Sequence, residues 1–331
     1  MDRDGFRSDL EERGIPDEQI DASIAMAEQF EAFLAETGRK IEPDDDAAKA
    51  VAAFSNRMID RRTNTWDNYV ALIRYGRFIG NDAVYIAALE IVDGAEALEN
   101  LHTKLGAEIG GAERDRIFEG IELPELGTPN VDRPPLTRVI MERLEAAVAP
   151  ETCVKVLGSG LRNLEDDWYL DKKQKYEEAG GIDAYLKQKG ADYIAALEKH
   201  RDEGTLYFSQ PVNDDVIAYV RAHPEVEAGV RQGSVVIEAK IPHQMIPFLA
   251  ATDPREKAYH YCHCPWVKES LRSGNSGISP IFCNCSAAFH KKPYEVIFGQ
   301  SLEAEVLETV LAGDPWCKFA IHLPERAIPK G

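Results

Sequence analysis

The chain has 331 residues, a formal net charge of -19 and 44% hydrophobic residues, which is enough for a sizeable core and about two domains. The acidic charge repels nucleic acid and anionic membranes, so neither is an expected partner. No apolar run approaches the ~18 residues of a membrane span, and residues 1–5 lack the features of a signal peptide, so we expect a cytoplasmic protein.

Helical periodicity dominates the first half of the chain. Pro16 and Asp17 are predicted to begin a helix that Gly38 ends. Further helices are predicted over residues 44–59 and 65–79. A fourth begins at an Asn81 cap, and Gly94 is predicted to interrupt it.

A segment rich in proline and glycine, residues 122–135, follows these helices. Proline lacks a backbone donor and biases the residue before it away from helix, so an exposed loop is predicted. We therefore expect a helical domain over residues 1–135 and a second domain over residues 136–331.

The second half mixes two periods. Helices are predicted over residues 137–149, 161–177, 182–201 and, after an Asn213 cap, 214–221. Alternation then predicts strands over 235–241 and 257–261, and a hairpin of 302–311 with 316–323. The expected fold class is α+β, with a largely helical N-terminal half and a C-terminal α+β domain that contains an antiparallel sheet.

Two Cys-x-Cys pairs hold four of the 6 cysteines, namely Cys262 with Cys264 and Cys283 with Cys285. Clustered cysteines in a cytosolic protein are more often ligands or catalysts than disulfides. Thiolates on short, bent segments are the ligands that zinc needs. The four cysteines are therefore the candidate metal ligands.

Both pairs are predicted to lie at helix starts. Pro265 favours a first helical turn after Cys264, with the helix running over 266–273, and the run after Cys285 is typical of another start. A helix N-terminus would lower a thiol pKa. Three interpretations stay open: a zinc site, metal-free reactive thiols, or inert buried cysteines. An iron–sulfur cluster fits the ligand count but has no standard spacing here, so it is less favoured.

Other candidates for catalysis are a histidine and a distant cysteine. His260, His263 and His290 flank the pairs, and His263, between two cysteines, is the strongest candidate for a ligand or proton shuttle. The competing interpretation is a histidine on the surface or behind the ligands. Cys153 is a candidate catalytic thiol, with burial as its alternative, and Cys317 is expected to be a core residue.

The region around the pairs is locally positive. Six basic residues oppose three glutamates there: Arg255, Lys257, Lys268, Arg272, Lys291 and Lys292 against Glu256, Glu269 and Glu295. In so acidic a chain this pattern favours a small anionic ligand, with solvated surface lysines as the alternative. Arg255, Lys257 and Arg272 are the candidate substrate-binding residues.

The C-terminal third resembles a known family through the run Phe-Cys-Asn-Cys-Ser at 282–286 and the predicted hairpin around 313–321. It is similar to L-2-amino-thiazoline-4-carboxylic acid hydrolase-like proteins and to the small-molecule-binding domains named after 4-vinyl reductase. The resemblance implies an α+β ligand-binding domain and hydrolysis of a small sulfur- or nitrogen-containing ring. The chain departs from the short hydrolases in its long helical half and its doubled Cys-x-Cys.

The expected function is therefore hydrolysis of a small anionic molecule at a cysteine-rich, zinc-binding site. Zinc with an open position would activate water, whereas a closed four-thiolate shell would leave the chemistry to Cys153 or a histidine. The alternative is a non-catalytic sensor of a metal or small ligand. A pocket that carries Arg or Lys and reaches the sulfurs would favour the enzyme, and a closed sulfur shell would favour the sensor.

Overall fold

The computed structural model describes residues 1–42, 44–274 and 276–328. Contacts divide the chain into two units, Met1–Ala95 with Leu123–Arg133 and Glu96–Glu122 with Pro134–Gly331. This division differs from the predicted domains chiefly in Glu96–Glu122, because its leucines lie in a core of the second unit.

The first unit is helical, as predicted. Its helices are α1 (Arg3–Glu12), α2 (Asp17–Thr37), α3 (Asp44–Asp60), α4 (Trp66–Phe78) and α5 (Asp82–Val92). Gly38 ends α2 in the left-handed region, and the side chain of Asn81 accepts the backbone N–H of Val84 at the start of α5. Both caps were predicted from sequence. The helices bury one aromatic-rich core around Phe30 and Tyr75.

The helices of the second unit are α6 (Ala97–Ile109), α7 (Gly111–Ile117), α8 (Arg133–Ala147), α9 (Pro150–Leu157), α10 (Leu170–Ala179), α11 (Ile182–Glu203), α12 (Asp214–Ala222), α13 (Met245–Ala250), α14 (Pro254–Tyr261), α15 (Lys268–Leu271) and α16 (Asn284–Phe298). No helix in the described ranges is long and apolar enough to cross a membrane.

One antiparallel sheet accompanies these helices. Its strands are β1 (Val230–Gln232), β2 (Val235–Ala239), β3 (Ala304–Glu308) and β4 (Lys318–His322), in the order β1-β2-β4-β3. Val236 opposes Ile321 across the central pair, and both pack on α11 and α16. The predicted α+β class and the pairing of the last two strands are confirmed.

One predicted element was wrong in type, and two predicted helices were too long. The strand predicted over 257–261 is the end of helix α14, because the Asp253 side chain accepts the N–H groups of Arg255 and Glu256 and Pro254 fits the first turn. The helix predicted over 161–177 begins only at Leu170, as α10. The helix predicted over 266–273 shortens to α15.

The proline-rich segment is only partly a loop. Residues 122–129 are irregular, but Pro134 and Pro135 lie in the first turn of α8, where a missing N–H costs nothing. Before it, Gly127 adopts a φ of 101° against the side chains of Tyr69 and Ser55. A Cβ on this glycine would lie 2.1 Å from the Tyr69 hydroxyl, so the first unit needs glycine there.

Candidate functional site

The fold gathers five cysteines in the second unit. Cys262 directly follows α14, Cys283 directly precedes α16, and Cys285 lies in the first turn of α16. Cys317 precedes β4, and Cys264 lies between α14 and α15. We call these residues the thiol cluster, and all five are free thiols. The structure thus brings the two predicted pairs together and adds Cys317, which the sequence assigned only to the core.

Burial keeps these thiols protonated. It raises the pKa of Cys262 to about 11 and raises that of Cys283 further, with Cys317 adding to both effects. Burial also raises the pKa of Cys264 well above its usual value, with Cys262 and then Cys285 adding to the effect. The predicted lowering at a helix start does not apply to Cys264, because α15 begins only at Lys268 and burial dominates at this thiol.

The ammonium group of Lys240 opposes this effect at four of the thiols. Lys240, directly after β2, lowers the pKa of Cys262, Cys283, Cys285 and Cys317 through its charge. Its Nζ donates to the hydroxyl of Ser286, 3.3 Å away, in the first turn of α16. The sequence did not predict a role for Lys240, because a single lysine after a strand belongs to no recognisable motif.

A hydroxyl joins two of the sulfurs. The Oγ1 atom of Thr309 lies 3.0 Å from the Sγ of Cys283, and the thiol of Cys317 donates to the same oxygen at 3.9 Å. Thr309 is buried and follows β3 directly. Its role was not visible in the sequence, because a lone threonine after a strand carries no motif.

No preformed metal centre is present in the part of the chain that the structure describes. Across residues 1–42, 44–274 and 276–328, no group of three or more Cys, His, Asp or Glu side chains is placed to hold a metal ion. We therefore derive no step through zinc or an iron–sulfur cluster, and the predicted ligand set stays a prediction.

His263 is held by the backbone. Its Nε2–H donates to the carbonyl of Ile241, 2.6 Å away. Burial first, and then Lys240 and His243, lower its pKa well below the usual range, so the ring is neutral. The ring of His243 lies 5.0 Å away, and its Nδ1 accepts from Lys268 at 2.9 Å. With its Nε2 proton engaged, His263 has only Nδ1 to offer as a base.

Cys153 lies on α9 and is fully buried. Burial raises the pKa of its thiol, and the nearby carboxylate of Glu145 raises it further. A nucleophilic thiol needs a nearby cation or an exposed position. Cys153 has neither, because its charged neighbour is a carboxylate and its position is buried. Its surroundings are those of a core residue, which was the alternative interpretation of the sequence.

A cleft of about 870 Å³ opens in the same unit. Four half-buried rings form one wall, which we call the aromatic wall: Tyr219, His223, Phe248 and Trp316. The Tyr219 ring stacks on Trp316 with centroids 6.0 Å apart, and His223 meets Trp316 edge-on at 4.8 Å. The volume is within the ~300–1,000 Å³ typical of small-molecule sites.

Two of the predicted substrate-binding residues line this cleft and one does not. Arg255 and Lys257, on α14, are exposed there, and neither forms an ion pair with any residue that the structure describes. The Nζ of Lys257 lies 5.7 Å from the ring centroid of Phe248. Arg272 instead lies over the ring of Tyr259 at 3.6 Å and pairs with Glu256.

Comparison of the chain with protein-family models, with curated proteins and with solved structures gave no match. The geometry of the thiol cluster and the cleft therefore carries the functional argument.

Proposed function

We propose that the second unit binds a small organic anion in the cleft. The observation that supports the proposal is the pairing of an aromatic wall with two cations, Arg255 and Lys257, that no described carboxylate neutralises. An apolar body would pack on the rings while the anionic group meets the cations. This is the binding function that the sequence offered as its alternative.

The charges along the cleft suit a single negative charge. Arg255 and Lys257 contribute two positive charges, and Asp314 contributes one negative charge to the same lining. The carboxylate of Asp314 also accepts the backbone N–H of Thr309 at 2.9 Å, which fixes its position. A monoanion such as a carboxylate leaves this lining neutral, whereas a dianion leaves it negative.

Calorimetric titration with benzoate tests the proposal, and benzamide serves as the uncharged probe of the same shape. We expect benzoate to bind more tightly than benzamide. Arg255→Met should reduce benzoate affinity by about tenfold, since a charged hydrogen bond contributes roughly 1.5–3 kcal/mol.

Arg272→Met is the matched control, because this arginine follows α15 and is not among the residues that line the cleft. Its affinity for benzoate should equal that of the unmodified protein. Equal binding of benzoate and benzamide, or equal losses in both variants, would contradict an anion site at Arg255.

Hydrolysis remains a second candidate, favoured by the position of one thiol. Trp316 of the aromatic wall lines the cleft, and the next residue in the chain, Cys317, belongs to the thiol cluster. No cysteine is itself among the described lining residues, which is why binding is our first proposal.

Thiol release from a 2-aminothiazoline-4-carboxylate tests the second candidate, because opening of that ring frees a sulfhydryl group. Turnover that is lost in Cys283→Ser and kept in Cys153→Ser would support a cysteine-dependent hydrolase. Equal turnover in the two variants would remove the thiol cluster from the reaction.

A further inference from the structure

One loop belongs to both the cleft and the thiol cluster. Residues 309–317 connect β3 to β4, and the residues from Val310 to Trp316 line the cleft. The two ends of the loop are Thr309 and Cys317, which contact each other through oxygen and sulfur. The loop that lines the cleft therefore ends at Cys317 of the thiol cluster and begins at Thr309, which contacts that cluster.

Cys283 contacts one end of this loop directly and shares that contact with the other end. Its sulfur lies 3.0 Å from the Thr309 hydroxyl, to which Cys317 also donates. After burial, Cys317 is the strongest influence on the pKa of Cys283, which is consistent with two adjacent sulfurs. Cys283 is half-buried, whereas Cys317 is only 8% exposed. A soluble oxidant would therefore reach Cys283 first.

We propose that Cys283 and Cys317 are a redox pair, which a low-molecular-weight disulfide such as oxidised glutathione converts to an intramolecular disulfide. Cys283 gives up its proton as its sulfur attacks the glutathione disulfide, which forms a mixed disulfide and releases one glutathione. Cys317 likewise gives up its proton as its sulfur attacks the Cys283 sulfur and releases the second glutathione. Two protein thiols are oxidised, one external disulfide is reduced to two thiols, and their two protons end on the released glutathione.

Disulfide formation should change the cleft. The two sulfurs must approach to about 2.05 Å, and Cys317 loses the proton that it donates to the Thr309 hydroxyl. Because Thr309 and Cys317 are the two ends of the loop, the approach of the sulfurs and the loss of this hydrogen bond should shift the loop. This part of the inference rests on the proposed ligand site, and we expect benzoate affinity to fall by about tenfold on oxidation.

The first measurement is peptide mapping of the full chain after treatment with oxidised glutathione, without reduction. We expect a product 2 Da lighter than the reduced chain, with Cys317 linked to the peptide that carries Cys283 and Cys285. Cys283→Ser should abolish this link, whereas the matched control Cys285→Ser should keep it. A link that survives Cys283→Ser, a Cys262–Cys264 or Cys283–Cys285 bond, or no disulfide at all would overturn the proposal.

The second measurement is benzoate titration of the reduced and oxidised chains. Weaker binding after oxidation, restored by dithiothreitol and absent in Cys283→Ser, is the expected result. Unchanged binding in a chain with the Cys283–Cys317 bond would overturn the coupling to the cleft. If the reduced chain does not bind benzoate, the proposed function fails while the peptide map still decides the redox pair.

Discussion

Glu238 shows how a single charge is accommodated inside this protein. This residue of β2 is 4% exposed, and its carboxylate accepts from the Nδ1 of His290 at 2.9 Å, the hydroxyl of Tyr294 at 2.8 Å and the Nζ of Lys189 at 3.2 Å. Burial raises its pKa, but Lys189, His290 and Tyr294 together lower it to about 2. The carboxylate therefore joins α11 and α16 to the sheet in its charged form.

Glu238→Gln should destabilise the second unit by about 3–5 kcal/mol at neutral pH, because the substitution leaves Lys189 and its partners around an uncharged amide. Urea unfolding measures this loss. Since the folded pKa is below the ordinary value of 4.5, the stabilisation is present above that value and is lost as the pH falls towards about 2.

The difference between Glu238→Gln and the unmodified protein should therefore shrink between these two pH values. Glu305→Gln is the control, since this glutamate lies exposed on β3 of the same sheet. A Glu238→Gln protein as stable as Glu305→Gln at neutral pH would show that the buried contacts contribute little.

At the scale of elements, the sequence predicted helices best where a cap and a periodic face agree. The helix from Asp17 to Gly38 and the helix after Asn213 have both signals, and the structure confirms them. The strand predicted over 257–261 is wrong because Asp253 and Pro254 begin a helix that runs through this segment. The capping hydrogen bonds of Asp253 determine that this segment is a helix, and the alternation of apolar residues does not.

Asp253→Ala should cost about 1 kcal/mol of stability, because it removes the oxygen that accepts two N–H groups at the start of α14. Urea unfolding is the measurement. Since α14 carries Arg255 and Lys257, benzoate affinity should also fall. Asp253→Ser keeps a capping oxygen and should restore most of both quantities. The cap would be unimportant if the alanine and serine variants behaved alike.

At the scale of the molecule, neither unit is one continuous stretch of sequence. Leu98, Leu101 and Leu105 of α6 are fully buried in the core that also holds Cys262 and Cys317. Conversely, the Ser55 hydroxyl of the first unit donates to the carbonyl of Gly127, at 3.0 Å. The amino-acid composition does not show that residues 96–122 belong to the second unit and residues 123–133 to the first. A domain boundary predicted at the proline-rich segment therefore missed both.

A fragment of residues 96–331 should therefore fold, whereas a fragment of residues 134–331 should not. The shorter fragment loses three buried leucines, each contributing about 1.5–3 kcal/mol, against a total stability of about 5–15 kcal/mol for a domain. Thermal unfolding by circular dichroism would show a cooperative transition only for the longer fragment. Similar transitions in both fragments would mean that α6 is dispensable to this core.

The candidate site was predictable only where it is local in sequence. The two Cys-x-Cys pairs and the cations Arg255 and Lys257 stand close together in the chain, and the sequence singled out all of them. The aromatic wall could not be found this way, since Tyr219 lies on α12 and Trp316 precedes β4. Single aromatic residues look like core residues until the fold places them together.

The thiols beside Lys240 should give up their protons one at a time. Its ammonium acts on Cys262, Cys283, Cys285 and Cys317, and it offers one positive charge to all four. The first thiolate is balanced by that charge, whereas a second thiolate would be repelled by the first within the same buried core. Alkylation of the cluster should therefore proceed with one fast reaction and then several slow ones. The reason is that the thiols compete for the single charge of Lys240.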